Sequence, residues 1–155
     1  MSRTARRLSE LGLALPSLKG PSGSYVPFRR SGGLVILSGQ VPRVDGKDAF
    51  QGRLGEDMTV AEGQAAARAA ALNLLAQLAT AVDGDLDRVE ACLQLRGFVR
   101  AVPDFADHPA VVDGASDLIV EVLGERGQHA RTALGAGSLP RGFSVELDAI
   151  FQVAD

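Results

Sequence analysis

The stretch from Thr59 to Gly84, TVAEGQAAARAAALNLLAQLATAVDG, leaves the chain the fewest options. Thr59 and Glu62 stand at capping-box spacing, where the hydroxyl accepts from a free amide and the carboxylate answers the cap's own N–H. Ala67, Ala70, Leu74, Leu78 and Val82 then form one apolar stripe, widened by Leu75, and Gly84 is a natural stop. The first half of that stripe is alanine, so the helix can lie close to a flat surface. A sheet is such a surface, and the rest of the chain reads as one.

The last strand, from Phe143, alternates: Phe143, Val145, Leu147, Ala149, Phe151 and Val153 face one way, and Ser144, Glu146, Asp148 and Gln152 the other. The segment before it, from His129, reads as its hairpin partner across a tight Leu139-Pro140-Arg141-Gly142 turn. There Ala130, Thr132, Leu134 and Ala136 point one way, while Arg131 shares a face with Ala133, Gly135 and Gly137. An earlier hairpin spans Tyr25–Arg30 and Leu34–Gly39, and another strand runs from Glu90 to Arg100 with Leu93, Leu95 and Val99 on one face. A second helix covers Pro109 to Leu123, with Val112, Ser116, Ile119 and Leu123 on one side. The polar stretch Arg43–Asp57 is a loop or lid candidate. The order β-β-α-β-(β)-α-β-β predicts an α+β domain with two main helices on one sheet face. The Leu34-Val35-Ile36-Leu37 strand does not alternate, as expected where both faces are covered. Two helices cover only one face, so a partner subunit is expected on the other.

At 155 residues the chain suits one domain, read as 19–155, preceded by an N-terminal helical extension over 1–18. That extension is expected to be an amphipathic helix carrying Leu8, Leu11 and Leu15 and stopped by Pro16. With six Phe, one Tyr and no Trp, the core must come from Ala, Val, Leu and Ile. A net charge of −3 offers no basic field for a nucleic-acid backbone. No apolar run approaches membrane-spanning length, and no targeting signal is evident, so a cytoplasmic location is expected. The lone cysteine, Cys92, reads as a small buried hydrophobe. His108 and His129 are too scattered to mark a metal site, and neither metal nor cofactor is expected.

Three stretches in order, YVPFRRSGGLVILSGQVP, GFVRAVPDF and HARTALGAGSLPRGFSVELDAIF, resemble the reactive-intermediate deaminase family (RidA, also called YjgF) over roughly Tyr25 to Val153. The resemblance implies a chorismate-mutase-like fold. It also implies a homotrimer with its sheets packed together, and small-molecule clefts between subunits. It further implies cofactor-independent hydrolysis of 2-imino acids, formed from enamines, to 2-keto acids and ammonia. The N-terminal segment and the stretch around ADHPAVVDGASD set this chain apart as a longer, divergent branch.

Arg131 offers a planar fork of donors suited to a carboxylate, among small neighbours that leave room for a ligand. The family's matching Arg grips the imino acid's carboxylate; the alternative is an ion pair to Glu146 or Asp148. Glu146 is the candidate to orient water and shuttle a proton, against an interface or strand-pair role. Asp148 reads as structural. Tyr25 matches a cleft tyrosine and otherwise is an ordinary hairpin residue. Ser38 and Gly39 match the family's Ser-Gly-Gln turn, Ser38 as a ligand hydroxyl or a strand-end cap and Gly39 for backbone geometry. Thr132 is placed to support a backbone contact to the ligand. Two departures stand out: Ala133 where many members have cysteine, and Asp113 near a family asparagine. These keep a non-catalytic binding module for small carboxylate metabolites as the alternative. Endoribonuclease activity ranks third, because the charge is negative and no aromatic stacking platform is present.

Overall fold

The computed structural model describes residues 1–154. Its main sheet is built from β1 (Phe28–Ser31), β2 (Leu34–Gln40), β5 (Val89–Arg100), β6 (Ala130–Ala136) and β7 (Val145–Val153); β3 (Arg43–Val44) and β4 (Lys47–Asp48) form a separate ribbon. The helices are α1 (Arg3–Glu10), α2 (Val60–Ala81) and α3 (His108–Leu123). The strand order is β1-β2-β7-β5-β6, antiparallel except for the parallel β5–β6 pair. This is the expected α+β, chorismate-mutase-like arrangement, with α2 over β2 and β7, α3 over β5 and β6, and a short N-terminal helix.

The capping box at Thr59 and Glu62 is formed in both directions. Every residue of the predicted α2 stripe is buried. The two long helices touch at Gly114, where a Cβ would sit 2.2 Å from the Gln64 carbonyl oxygen; only glycine permits that approach. The core on the helix side is aliphatic, with Phe143 and Phe151 its largest buried side chains. Cys92 lies there too, and burial pushes its thiol up to about 12.

Five expectations need correction. The last two strands do not form a hairpin: β5 lies between β6 and β7, so the chain crosses the end of the sheet rather than doubling back. The bracketed extra strand after β5 is absent among the described residues, and the chain passes into α3 instead. Leu93 faces away from the helices because a bulge at Cys92–Gln94, opposite Phe151–Ile150, adds one residue to β5 and reverses the alternation. The first helix ends at Glu10; Gly12, at φ +66°, turns the chain, and Leu11, Leu13 and Leu15 pack on the core beyond the helix. Finally, Arg43–Asp57 is not a free lid. Its backbone pairs with the closing segment and with Arg100 (Gly52 N to Gly142 O, 3.0 Å; Ser144 N to Phe50 O, 3.1 Å; Leu54 N to Arg100 O, 2.9 Å), and Leu54 is fully buried.

The sheet face away from the helices carries Leu34, Ile36, Leu93 and Leu134, all exposed; Ile36 keeps 51% of its surface. In the single chain, then, β2 is covered on one face only. No helix is long and apolar enough to cross a membrane among the described residues.

Candidate functional site

The Ser-Gly-Gln stretch is a bulge. Between Leu37 and Gln40, β2 uses three steps where β7 uses two, from Ala149 to Leu147. The extra residue bends the strand end and opens its far side. Ser38 donates from Oγ to the Val26 carbonyl (2.7 Å) and from its amide to the Pro27 carbonyl (2.9 Å), so it anchors the segment that carries Tyr25. Gly39 lies against Glu146: a Cβ there would stand 2.8 Å from Oε1 and 3.1 Å from Cδ of the carboxylate. Its role is close approach, and what approaches is the candidate catalytic group.

Glu146 is half-buried on β7 and, among the described residues, its side-chain carboxylate has neither a hydrogen bond nor an ion pair. Burial, aided by the negative charge of Asp148, holds its carboxyl above the ordinary glutamate range. Asp148 is occupied elsewhere, in a two-pronged pair with Arg96 (2.8 and 2.6 Å) across the β5–β7 ladder. It is the structural carboxylate that the sequence suggested.

Tyr25, Ser38, Gly39 and Glu146 line one cavity of about 490 Å³, within the range of small-molecule sites. Its other walls are the 16–22 segment, Asn73 and Gln77 from α2, and Phe143. Asn73 donates to the carbonyls of Val41 (2.9 Å) and Arg43 (3.1 Å), fixing the turn between β2 and β3. Asp48 clamps the rim: it accepts from Arg43 Nε (3.0 Å) and Arg141 Nε (2.6 Å), and these contacts, Arg43 foremost, hold its carboxyl below the usual range. Arg141 reaches it from a left-handed backbone conformation, φ +55°, in the turn before β7.

Arg131 is elsewhere in the chain. It lies on edge strand β6, on the helix side, while Glu146 is on β7 facing the other way, with β5 between them. Two strand spacings alone separate them by roughly 9–10 Å. Its partner is neither Glu146 nor Asp148, because β6 does not touch β7. It is Asp113 on α3 (Nη1 to Oδ1, 2.7 Å), with Ser116 Oγ at 3.1 Å and Nη2 to the Pro109 carbonyl at 3.3 Å. These contacts use three of the guanidinium's five N–H donors. The Nε–H is one of the two left over. Asp113, exposed on α3, pairs with the arginine directly, so its carboxylate holds one of the donors that a ligand carboxylate would otherwise take.

Sequence reasoning missed most of this support. Ser116, expected in the apolar stripe of α3, turns to the β6 side, where its Oγ also lies 2.9 Å from His129 Nε2; His129 Nδ1 is 2.6 Å from the Gly127 carbonyl. A consistent assignment has Ser116 accept from Arg131 and donate to Nε2, with Nδ1–H donating to Gly127. Asn73 and Gln77 carried a signal: two amides, four residues apart, interrupt an otherwise Ala/Leu run from Ala69 to Ala79. Thr132, by contrast, is exposed on the open sheet face and joins neither group.

Known proteins agree with the fold. Residues 5–151 match the family model described as "YjgF/chorismate mutase-like, putative endoribonuclease", and the chain belongs to that family. Protein TCP17 of Trypanosoma cruzi is 45% identical over 152 residues, 97% of this chain and 94% of that protein. Among solved structures, the protein Atu1372 of unknown function from Agrobacterium tumefaciens is 46% identical with a TM-score of 0.91, over 97% of this chain and 92% of that one. A "putative endoribonuclease" from Shewanella oneidensis MR-1 is 36% identical with a TM-score of 0.94, over 98% and 100%.

Proposed function

We propose that the protein hydrolyses small 2-imino acids, the tautomers of enamine acids, to 2-keto acids and ammonia, in clefts shared between subunits of a cytoplasmic homotrimer. The observation that carries this reading is Glu146: a carboxyl unpaired among the described residues, raised by burial, seated against Gly39 in a cavity of metabolite size. Hydrolysis adds water across C=N. The water oxygen bonds to the imine carbon as one of its protons passes to the nitrogen; the remaining hydroxyl proton then follows to the nitrogen as C=O forms and the C–N bond breaks, releasing ammonia. A carboxyl held above its ordinary range suits both halves of that transfer, taking the proton from water and returning it to nitrogen.

Arg131 enters through assembly. One chain holds Glu146 and Arg131 on opposite faces of its sheet, so no small ligand bridges them within it. The open face, with Leu34, Ile36, Leu93 and Leu134 exposed, is the surface a second copy would cover. A neighbour's β6 edge brought to the Glu146 cavity would add a guanidinium with free donors for the substrate carboxylate, and Tyr25 would close the apolar side.

The test couples an amino-acid oxidase to semicarbazide trapping. Active protein lowers the yield of semicarbazone from 2-iminopropionate, and Glu146→Gln loses that effect. Binding of 2-keto acids without any suppression would leave a binding module in its place. Cleavage of RNA that survives Arg131→Ala would point to the activity for which the Shewanella relative is named. Light scattering should give about three times the 16.1 kDa of one chain; a monomer would sink the shared cleft.

A further inference from the structure

The Glu146 cavity is also walled by Gln77 from α2 and by Lys19 from the 16–22 segment. Gln77 is 7% exposed, and its side-chain amide makes no hydrogen bond among the described residues. Its amide is open to the cavity rather than sealed off, so its donors and acceptor are free to meet water or a ligand. Gln77 lines both the main cavity and a recess of about 320 Å³ that adjoins it beneath the 16–20 segment. Lys19 lines the same two spaces from that segment, and among the described residues it has no carboxylate partner. The other cations of this wall, Arg43 and Arg141, share Asp48. Lys19 and Gln77 thus offer a cation with no carboxylate and an amide with no protein partner among the described residues, and the recess they share does not include Glu146 in its lining. An alkyl side chain placed there would leave both groups unanswered. A carboxylate would meet both.

Resting on the deaminase reading for the reacting end, we propose that Gln77 and Lys19 read the distal group of the ligand and select 2-imino and 2-oxo acids whose side chain ends in a carboxylate over those whose side chain is alkyl. The stable 2-oxo products make the recognition measurable apart from turnover. Calorimetric titration of the full chain with 2-oxoglutarate and with 2-oxo-4-methylpentanoate should show at least a 10-fold preference for the dicarboxylate. Gln77→Met, close in shape and a good helix former, should lower the ratio of the two affinities about 10-fold, as should Lys19→Gln at its exposed position. A melting curve for Gln77→Met separates misfolding from lost recognition, and Lys19→Gln carries the test if that variant is unstable. Equal affinities in the parent protein, an unchanged ratio in the folded variants, or no binding of either acid would overturn the proposal. Imines generated from glutamate and leucine by their oxidases separate the two readings. Selective 2-oxoglutarate binding without imine hydrolysis sinks the deaminase and supports tail recognition, whereas hydrolysis of both imines at equal efficiency sinks tail recognition alone.

Discussion

Replacing Arg131 by lysine separates ligand binding from structural bracing, because the structure sets the size of each. The guanidinium makes three contacts, to Asp113, Ser116 and Pro109, at 2.7, 3.1 and 3.3 Å. A lysine ammonium reaches one of these positions and abandons the others. The stability involved is small, since the arginine side chain is 23% exposed and that of Asp113 53%. Pairs this accessible contribute about 0–1 kcal/mol. For a chain of this length that is a fall in Tm of at most about 2–4 °C.

The functional cost is larger if the arginine grips a carboxylate. Lysine keeps the charge and gives up the planar fork, removing a charge-assisted hydrogen bond worth about 1.5–3 kcal/mol, or roughly 10- to 100-fold in kcat/KM. Thermal melting and semicarbazide-trapped imine hydrolysis on one preparation give both numbers. The expected result is near-parental melting with most activity gone. Parental activity in a protein that melts several degrees lower would refute the ligand role and leave Arg131 as a brace for α3.

Three further outcomes follow from the same geometry. Glu146→Gln should abolish hydrolysis and also flatten the dependence of stability on pH: a carboxyl raised on folding loses stability as pH climbs from its unfolded value through its folded one, so the variant should melt higher than the parent at pH 7 in parallel calorimetric scans. Asp87→Asn should loosen the N-terminal helix, whose Arg3 and Thr4 amides donate to that carboxylate at 2.7 and 2.9 Å; Thr4 holds the Asp87 carboxyl low, so the parent's anchor should itself fail as pH falls through that lowered value, and limited proteolysis near residue 12 reads both effects. Cys92 should resist thiol reagents in the native protein and react at the rate of unfolding, since burial holds its thiol near 12.

What the sequence disclosed was whatever repeats along one element. The capping box, the alanine stripe and the alternation of β7 are local periodicities, and each predicts its own burial. The partnership of strands is not local. β6 and β7 are joined by a tight turn that reads as a hairpin, yet β5 enters between them, and nothing in the composition of either strand encodes a crossing. That error carried into the site, because it offered Glu146 and Asp148 as partners for Arg131 when the partner was a helix residue, Asp113. Leu93 failed for a related reason: one bulge residue reverses a face, and the Cys92–Gln94 stretch gives no sign of it.

Gly39 shows where a motif and a mechanism meet, and it supplies the sharpest remaining test. As a letter in Ser-Gly-Gln it reads as a residue of backbone convenience. In the structure its missing side chain is the space that the Glu146 carboxylate occupies, since a Cβ would come within 2.8 Å of Oε1. The atoms that would have to yield are the end of a flexible side chain, so Gly39→Ala should fold and should move the carboxylate rather than break the strand. Misplacing a catalytic group by about 1 Å costs on the order of 100-fold in rate. Hydrolysis should therefore drop steeply while the melting temperature stays near the parent's, and binding of a 2-keto acid, which does not require the proton shuttle, should weaken far less. Equal losses in binding and turnover would mean that Gly39 shapes the cavity mouth instead, and that Glu146 takes no part in moving the proton.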